Sequence, residues 1–209
     1  MEFRFRFILL TLVGLIAVAV WTFPAWRVYF RDRGENAPFP GLAFEHQDDF
    51  LALPRAQREK LLDEYERNAS MALEMVLVAI DADQPAPPED IADQLEGART
   101  LVSGEFQELN ALHWGAGRAT IYELADGRRI LRFEDFASAR CRDVRVYLAR
   151  DPLPLLALQL EDGLDLGRLK GNIGDQYYYL PDDHDLSVYE SAVVFCQQFD
   201  LALTVARLR

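Results

Sequence analysis

Two cysteines are the residues of this chain best suited to chemistry. Cys141 and Cys196 lie 55 positions apart with no Cys-x-x-Cys pair, so neither a dithiol-exchange motif nor a four-ligand zinc site is spelled out. Three states stay open for them: one disulfide in an oxidising compartment, two separate buried thiols, or a reactive thiol at one site. Cys196 sits among Val194, Phe195, Gln197 and Gln198, which supply no cation to lower a thiol pKa. A bridge closing that loop would stabilise by roughly 4 kcal/mol through chain entropy, which explains both residues without any redox role.

The other candidates are weaker. His113 precedes Gly115-Ala116-Gly117 and could ligate a metal or haem, although a lone histidine is more often a hydrogen-bonded structural group. His184 lies among Asp182, Asp183 and Asp185, but consecutive residues cannot all face one ion. The aromatic run Tyr177-Tyr178-Tyr179 offers a contact surface for a protein or glycan, with Tyr177 and Tyr178 as its candidate residues. GLDLGRLKGNIGD carries glycines and Lys170 but lacks the phosphate-loop spacing, so its glycines are expected to serve turns and close strand approach, with Lys170 and Asp175 as a structural pair. No metal cluster, nucleophile elbow or paired catalytic carboxylates stand out, and the residues do not argue for an enzyme. No cofactor motif is evident either, which leaves haem or a metal open.

Those residues need elements to position them. Phe7 to Trp26 holds twenty residues without a charge, about 30 Å of helix, flanked by Arg4 and Arg6 on one side and Arg27, Arg31 and Arg33 on the other. A transmembrane signal-anchor over 7–26 is expected, making the lipid bilayer a partner. Ala17-Val18-Ala19 supplies the competing cleavage-site reading. Flanking arginines nearly balance, so the orientation rule gives close to a tie. Residues 27–54 read as a juxtamembrane spacer. Over 55–100, apolar residues from Leu61 to Ile80 recur at helical spacing before the Pro-rich connector Gln84–Asp90.

Beyond residue 101 the period changes to two. Val144, Val146 and Leu148 alternate with polar neighbours, and Asp126-Gly127 marks a hairpin turn between RATIYEL and RRILRF. SAVVFC is apolar on both parities, which predicts a central strand covered on both faces. Closely spaced strands over 101–209 therefore predict a mainly β fold, an antiparallel β-sandwich or barrel-like domain, preceded by a helical segment and the N-terminal anchor. The net charge of −12 makes nucleic acid a poor partner.

The same region resembles the DM-thirteen domain, labelled an electron-transfer domain. The matching stretches are GEF at Gly104–Phe106, HWGAGRATIYELADGRRILRFEDF at His113–Phe136, DVRVYLA at Asp143–Ala149, LDLGRLKGNIGDQYYYLP at Leu164–Pro181 and YESAVVFCQQFDLALTVARL at Tyr189–Leu208. The helix and connector before it resemble membrane-anchored bacterial members. The resemblance implies a redox or electron-transfer role centred on Cys196, which stands where the family commonly has its cysteine. It also implies a cell-envelope location, with the domain periplasmic or extracellular, and an envelope redox or protein partner. ARCRDV departs from the family pattern, for Cys141 occupies a position that is often glycine. The competing expectation is a non-catalytic protein- or glycan-interaction module braced by its cysteines.

Overall fold

The structure is a computed structural model that describes residues 37–209. The expected anchor at 7–26 lies outside the described residues. Among the described residues no helix is long and apolar enough to cross a membrane.

The first element arises inside the stretch expected as a spacer. Phe39 and Phe50 are buried and meet edge to face at 5.1 Å, and Tyr65 closes on Phe39 at 5.3 Å. Gln47 ties the segment together, accepting from the Phe39 amide at 2.8 Å and donating to the carbonyls of Phe39 and Leu42. Apolar burial thus draws residues 39–52 into the fold, with a short helix α1 at Gln47–Ala52. The helical spacing from Leu61 to Ile80 is carried by two helices rather than one. Helix α2 runs Arg55–Arg67 and α3 Ala69–Ala79, because Asn68 takes an extended conformation and its side chain accepts from the Met71 amide, capping α3. The two helices pack on each other through Leu61, Ala72 and Val76, and Leu112 from the β domain joins that cluster.

The connector after α3 is extended and is followed by a single helical turn, α4, at Ala92–Leu95. Eight strands then form one antiparallel sheet: β1 Arg99–Gln107, β2 Gly115–Glu123, β3 Arg129–Ser138, β4 Val144–Ala149, β5 Leu164–Arg168, β6 Gln176–Leu180, β7 Ser191–Cys196 and β8 Leu201–Arg207. Their order is β5-β4-β7-β8-β1-β2-β3-β6. The sheet coils into a nearly closed, barrel-like form, and the mainly β expectation is met. The β2–β3 hairpin turns at Asp126-Gly127, where Gly127 has φ of 86°.

Two half-sheets meet where Phe106 and Gln107 of β1 pair with Ala206 and Val205 of β8. The main core lies inside, where the rings of Phe106, Phe133 and Phe136 meet edge to face or tilted with centroids about 5 Å apart. Strand β7 is buried at all six positions, as its two-sided apolar pattern predicts. Ala192, Val194 and Cys196 enter the main core, while Val193 and Phe195 face a second cluster with Ala149, Leu160 and Val205.

Candidate functional site

The two cysteines are bonded to each other, with their Cα atoms 5.9 Å apart. Cys196 is the last residue of β7. It is hemmed in by Val144 of β4 on one side and Leu201 of β8 on the other, and none of its surface reaches solvent. Cys141 stands in the loop between β3 and β4 and is half-buried. That loop is pinned on both sides of the cysteine: the Ala139 amide donates to the Trp114 carbonyl at 2.9 Å, and the Gln197 amide to the Asp143 carbonyl at 2.8 Å. A fixed backbone at 139 and 143 therefore presents Cys141 to the end of β7.

Arg140, beside it, reaches back to the helices. Its Nη1 donates to the carbonyls of Ala79 and Asp81, and its Nε donates to Asp83 Oδ1 at 2.8 Å. Carbonyls at the end of α3 lack partners within the helix, so a cation there satisfies them and meets the negative end of the helix dipole. Asp83 in turn accepts from Asn172 Nδ2 at 2.9 Å. That bond, and then the Arg140 guanidinium, hold the Asp83 carboxyl below the usual carboxylate range.

Asn172 is buried and serves as the hub. Its Oδ1 accepts from the Gln84 amide, its amide donates to the Gln84 carbonyl, and its own carbonyl accepts from the Ser138 amide. Gly171 permits this close approach, since a Cβ there would lie 2.2 Å from the Ala86 nitrogen. The glycine-rich run thus serves turns and close packing, as its spacing suggests. Lys170 pairs with Glu89, however, and Asp175 with Arg132 at 3.0 Å, in place of the expected Lys170–Asp175 pair.

A cleft of about 190 Å³ opens over the bridge on the Cys141 side. Arg140, Arg142, Arg168, Asp81, Asp143 and Asn172 line it together with Cys141. Arg142 meets Glu74 only at 3.4 Å, and Arg168 meets Asp143 only at 3.6 Å. The cations that the immediate neighbours of Cys196 do not supply are therefore gathered around its partner.

The remaining candidates lie elsewhere. His113 lines a separate crevice of about 460 Å³ between the helices and the barrel, with Leu61, Met75, Trp114 and Leu203. Its Nδ1 is 2.9 Å from the Asn110 amide nitrogen, and the Asn110 carboxamide oxygen accepts from the Leu112 and His113 amides. Burial pushes the His113 pKa down. Among the described residues no group of three or more His, Cys, Asp or Glu side chains is placed to hold a metal. Tyr178 points into the core; its hydroxyl donates to Gln176 at 2.8 Å, and burial pushes its pKa up. Tyr177 is half-buried and Tyr179 is exposed, with their rings 5.4 Å apart. The surface of that run is thus formed by Tyr177 and Tyr179 rather than by Tyr178. His184 contacts Asp183 in an exposed turn whose carbonyls are held by Arg129.

Sequence reasoning did not single out Arg140, Asn172 or Asp83. The arginines flanking Cys141 in ARCRDV were a readable signal, but the partners of Arg140 lie about sixty residues earlier. No curated protein and no solved structure matches the chain. A family match does exist: the model of the family described as Electron transfer DM13 matches residues 105–208, which takes in both cysteines and all strands after β1 together with the end of β1 itself. Residues 105–208, which hold the bridge and most of the barrel-like sheet, thus belong to the electron transfer DM13 family.

Proposed function

We propose that the Cys141–Cys196 bridge is a two-electron redox centre on a domain tethered in an oxidising compartment. The single observation that carries this reading is the seating of the bond: Cys196 is wholly buried in the core, while Cys141 is half-buried and lines a cleft bearing three arginines, which leaves the Cys141 end as the side from which a partner would meet the bridge. The description of the family supports the same class of role. The apolar run 7–26 supports the tether, and a bridge is the state expected outside the reducing cytosol.

The chemistry balances with a partner dithiol as reductant. Its two thiols lose two electrons and two protons and become a disulfide, while the bridge gains both and becomes two thiols. Arginine cations favour the thiolate of Cys141, which stabilises the reduced pair and makes the bridge more oxidising. Apolar burial of Cys196 works the other way, because it disfavours that thiolate. A redox role requires the first effect to dominate.

The test is a redox titration of the full chain in dithiothreitol buffers, with alkylation and mass spectrometry at both cysteines and circular dichroism alongside. The expected result is a reversible midpoint above about −300 mV with the fold retained. A midpoint below that value makes the bridge a structural staple and turns the reading to a protein- or glycan-interaction module. The half-buried Tyr177 beside the exposed Tyr179, with Arg128 over the Tyr179 ring at 5.0 Å, favours that second reading.

A further inference from the structure

We infer that the two cysteines play unequal parts: Cys141 Sγ is the atom attacked by a partner thiol, and Cys196 is the buried thiol that leaves and later recloses the bond. The inference rests on the redox reading above and deepens it.

Thiol–disulfide exchange proceeds by a thiolate approaching one sulfur from the side opposite the sulfur that leaves. At Cys196 that approach is closed. The residue has no exposed surface, its strand is flanked by β4 and β8, and its side chain lies in the core with Val194 and Leu203. Cys141, half-buried in the loop between β3 and β4, lines the cleft and is the cysteine that has surface for a partner to meet. Exposure therefore reverses the weighting that the family position gives to Cys196.

The steps follow from that asymmetry. A partner thiolate forms a bond to Cys141 Sγ, the bridge breaks, and its electron pair leaves on Cys196 Sγ, which takes up a proton. The partner's second thiolate then attacks the partner sulfur of the mixed disulfide. Cys141 leaves as a thiolate and the partner departs oxidised. In the reverse direction Cys141 is the nucleophile and Cys196 the resolving thiol.

Three arginines line the cleft together with Cys141, and they are not equivalent. Arg140 is committed to the end of α3 and to Asp83. The Arg142 side chain is 58 % exposed and the Arg168 side chain 76 % exposed, each with only one long ionic contact. Exposed pairs of that kind hold their partners weakly, so both guanidiniums can turn to a thiolate or to a carboxylate beside the partner's cysteine. The cleft thus suits a dithiol partner that carries acidic groups next to its reactive cysteine.

The decisive experiment needs no variant. The folded full chain is incubated with glutathione, quenched in acid, and mapped by mass spectrometry for the site of the mixed disulfide. The adduct on Cys141 should exceed that on Cys196 by on the order of tenfold or more. Cys196→Ser, which frees Cys141, should react with a neutral aromatic disulfide with a pH midpoint below the ordinary thiol value of about 8.5. Adding Arg142→Gln and Arg168→Gln should raise that midpoint, a shift that a purely structural role does not produce. Should Cys196→Ser fail to fold, the wild-type adduct map still decides. Equal labelling, or an adduct mainly on Cys196, overturns the division of roles while leaving the redox reading intact. A bridge that resists every thiol until denaturant is added overturns the redox reading itself.

Discussion

Burial lowers the His113 pKa in the folded protein, outweighing the attraction of Glu64, while Lys60 adds to the downward push. The unfolded chain takes up a proton at this residue near pH 6.5, which the folded chain refuses until a lower pH. Its contribution is therefore complete above about pH 6.5 and is lost as the pH falls through the folded value. Urea midpoints at pH 7.5 and pH 5 should show a larger loss for the wild type than for His113→Gln, and equal losses would dismiss the imidazole as the cause. Asp83, Asp126, Asp183 and Asp185, all shifted below their ordinary value, act only at more acid pH and do not blur the comparison. Cys141 and Cys196 were legible as residues, but their pairing was not. A separation of 55 is compatible with a bridge or with two isolated thiols; only the hydrogen bonds at Ala139 and Asp143 bring the loop to the end of β7.

Helices and barrel are joined by few contacts, and their loss should be measurable. Arg140→Ala removes three donors from the end of α3 and from Asp83, so a loss of about 2 kcal/mol in urea unfolding is expected. Arg140→Lys should recover only part of it, since one ammonium cannot span the fork of acceptors. Asn68→Ala should cost about 1 kcal/mol through the lost cap of α3, read in the same way. The break at Asn68 was hidden in the sequence because Tyr65, Ala69, Ala72 and Leu73 continue the helical spacing across it. Asparagine at a cap was the signal that periodicity overrode. The strands were more readable, for alternation at Val144–Leu148 and the Asp126-Gly127 turn report local geometry. The Arg140 clamp and the Asn172 hub were not, since Arg140 meets Ala79 sixty-one residues away and Asn172 meets Gln84 eighty-eight residues away.

For the molecule as a whole, reduction of the bridge removes a constraint on the unfolded chain worth about 4 kcal/mol in the chain-entropy model. The reduced protein should melt at a lower temperature than the oxidised one yet keep its circular dichroism at 25 °C, because the strand pairing and the apolar burial around Phe106, Phe133 and Phe136 remain when the bond opens. Collapse of the fold on reduction would make the bridge a staple. Strand order was beyond the reach of pattern reading: β7 lies between β4 and β8, a placement fixed by long-range pairing rather than by local sequence. The nearly closed sheet leaves β5 and β6 as its margins, and each is blunted. On β6 the Tyr177 amide is taken by Glu89 from the connector, at 3.1 Å. On β5 the Gly167 amide turns to Asp165 at 2.8 Å, and Asp165 also binds Arg145. One amide on each margin is thus already taken by a carboxylate, which makes the open seam a poorer template for a foreign strand.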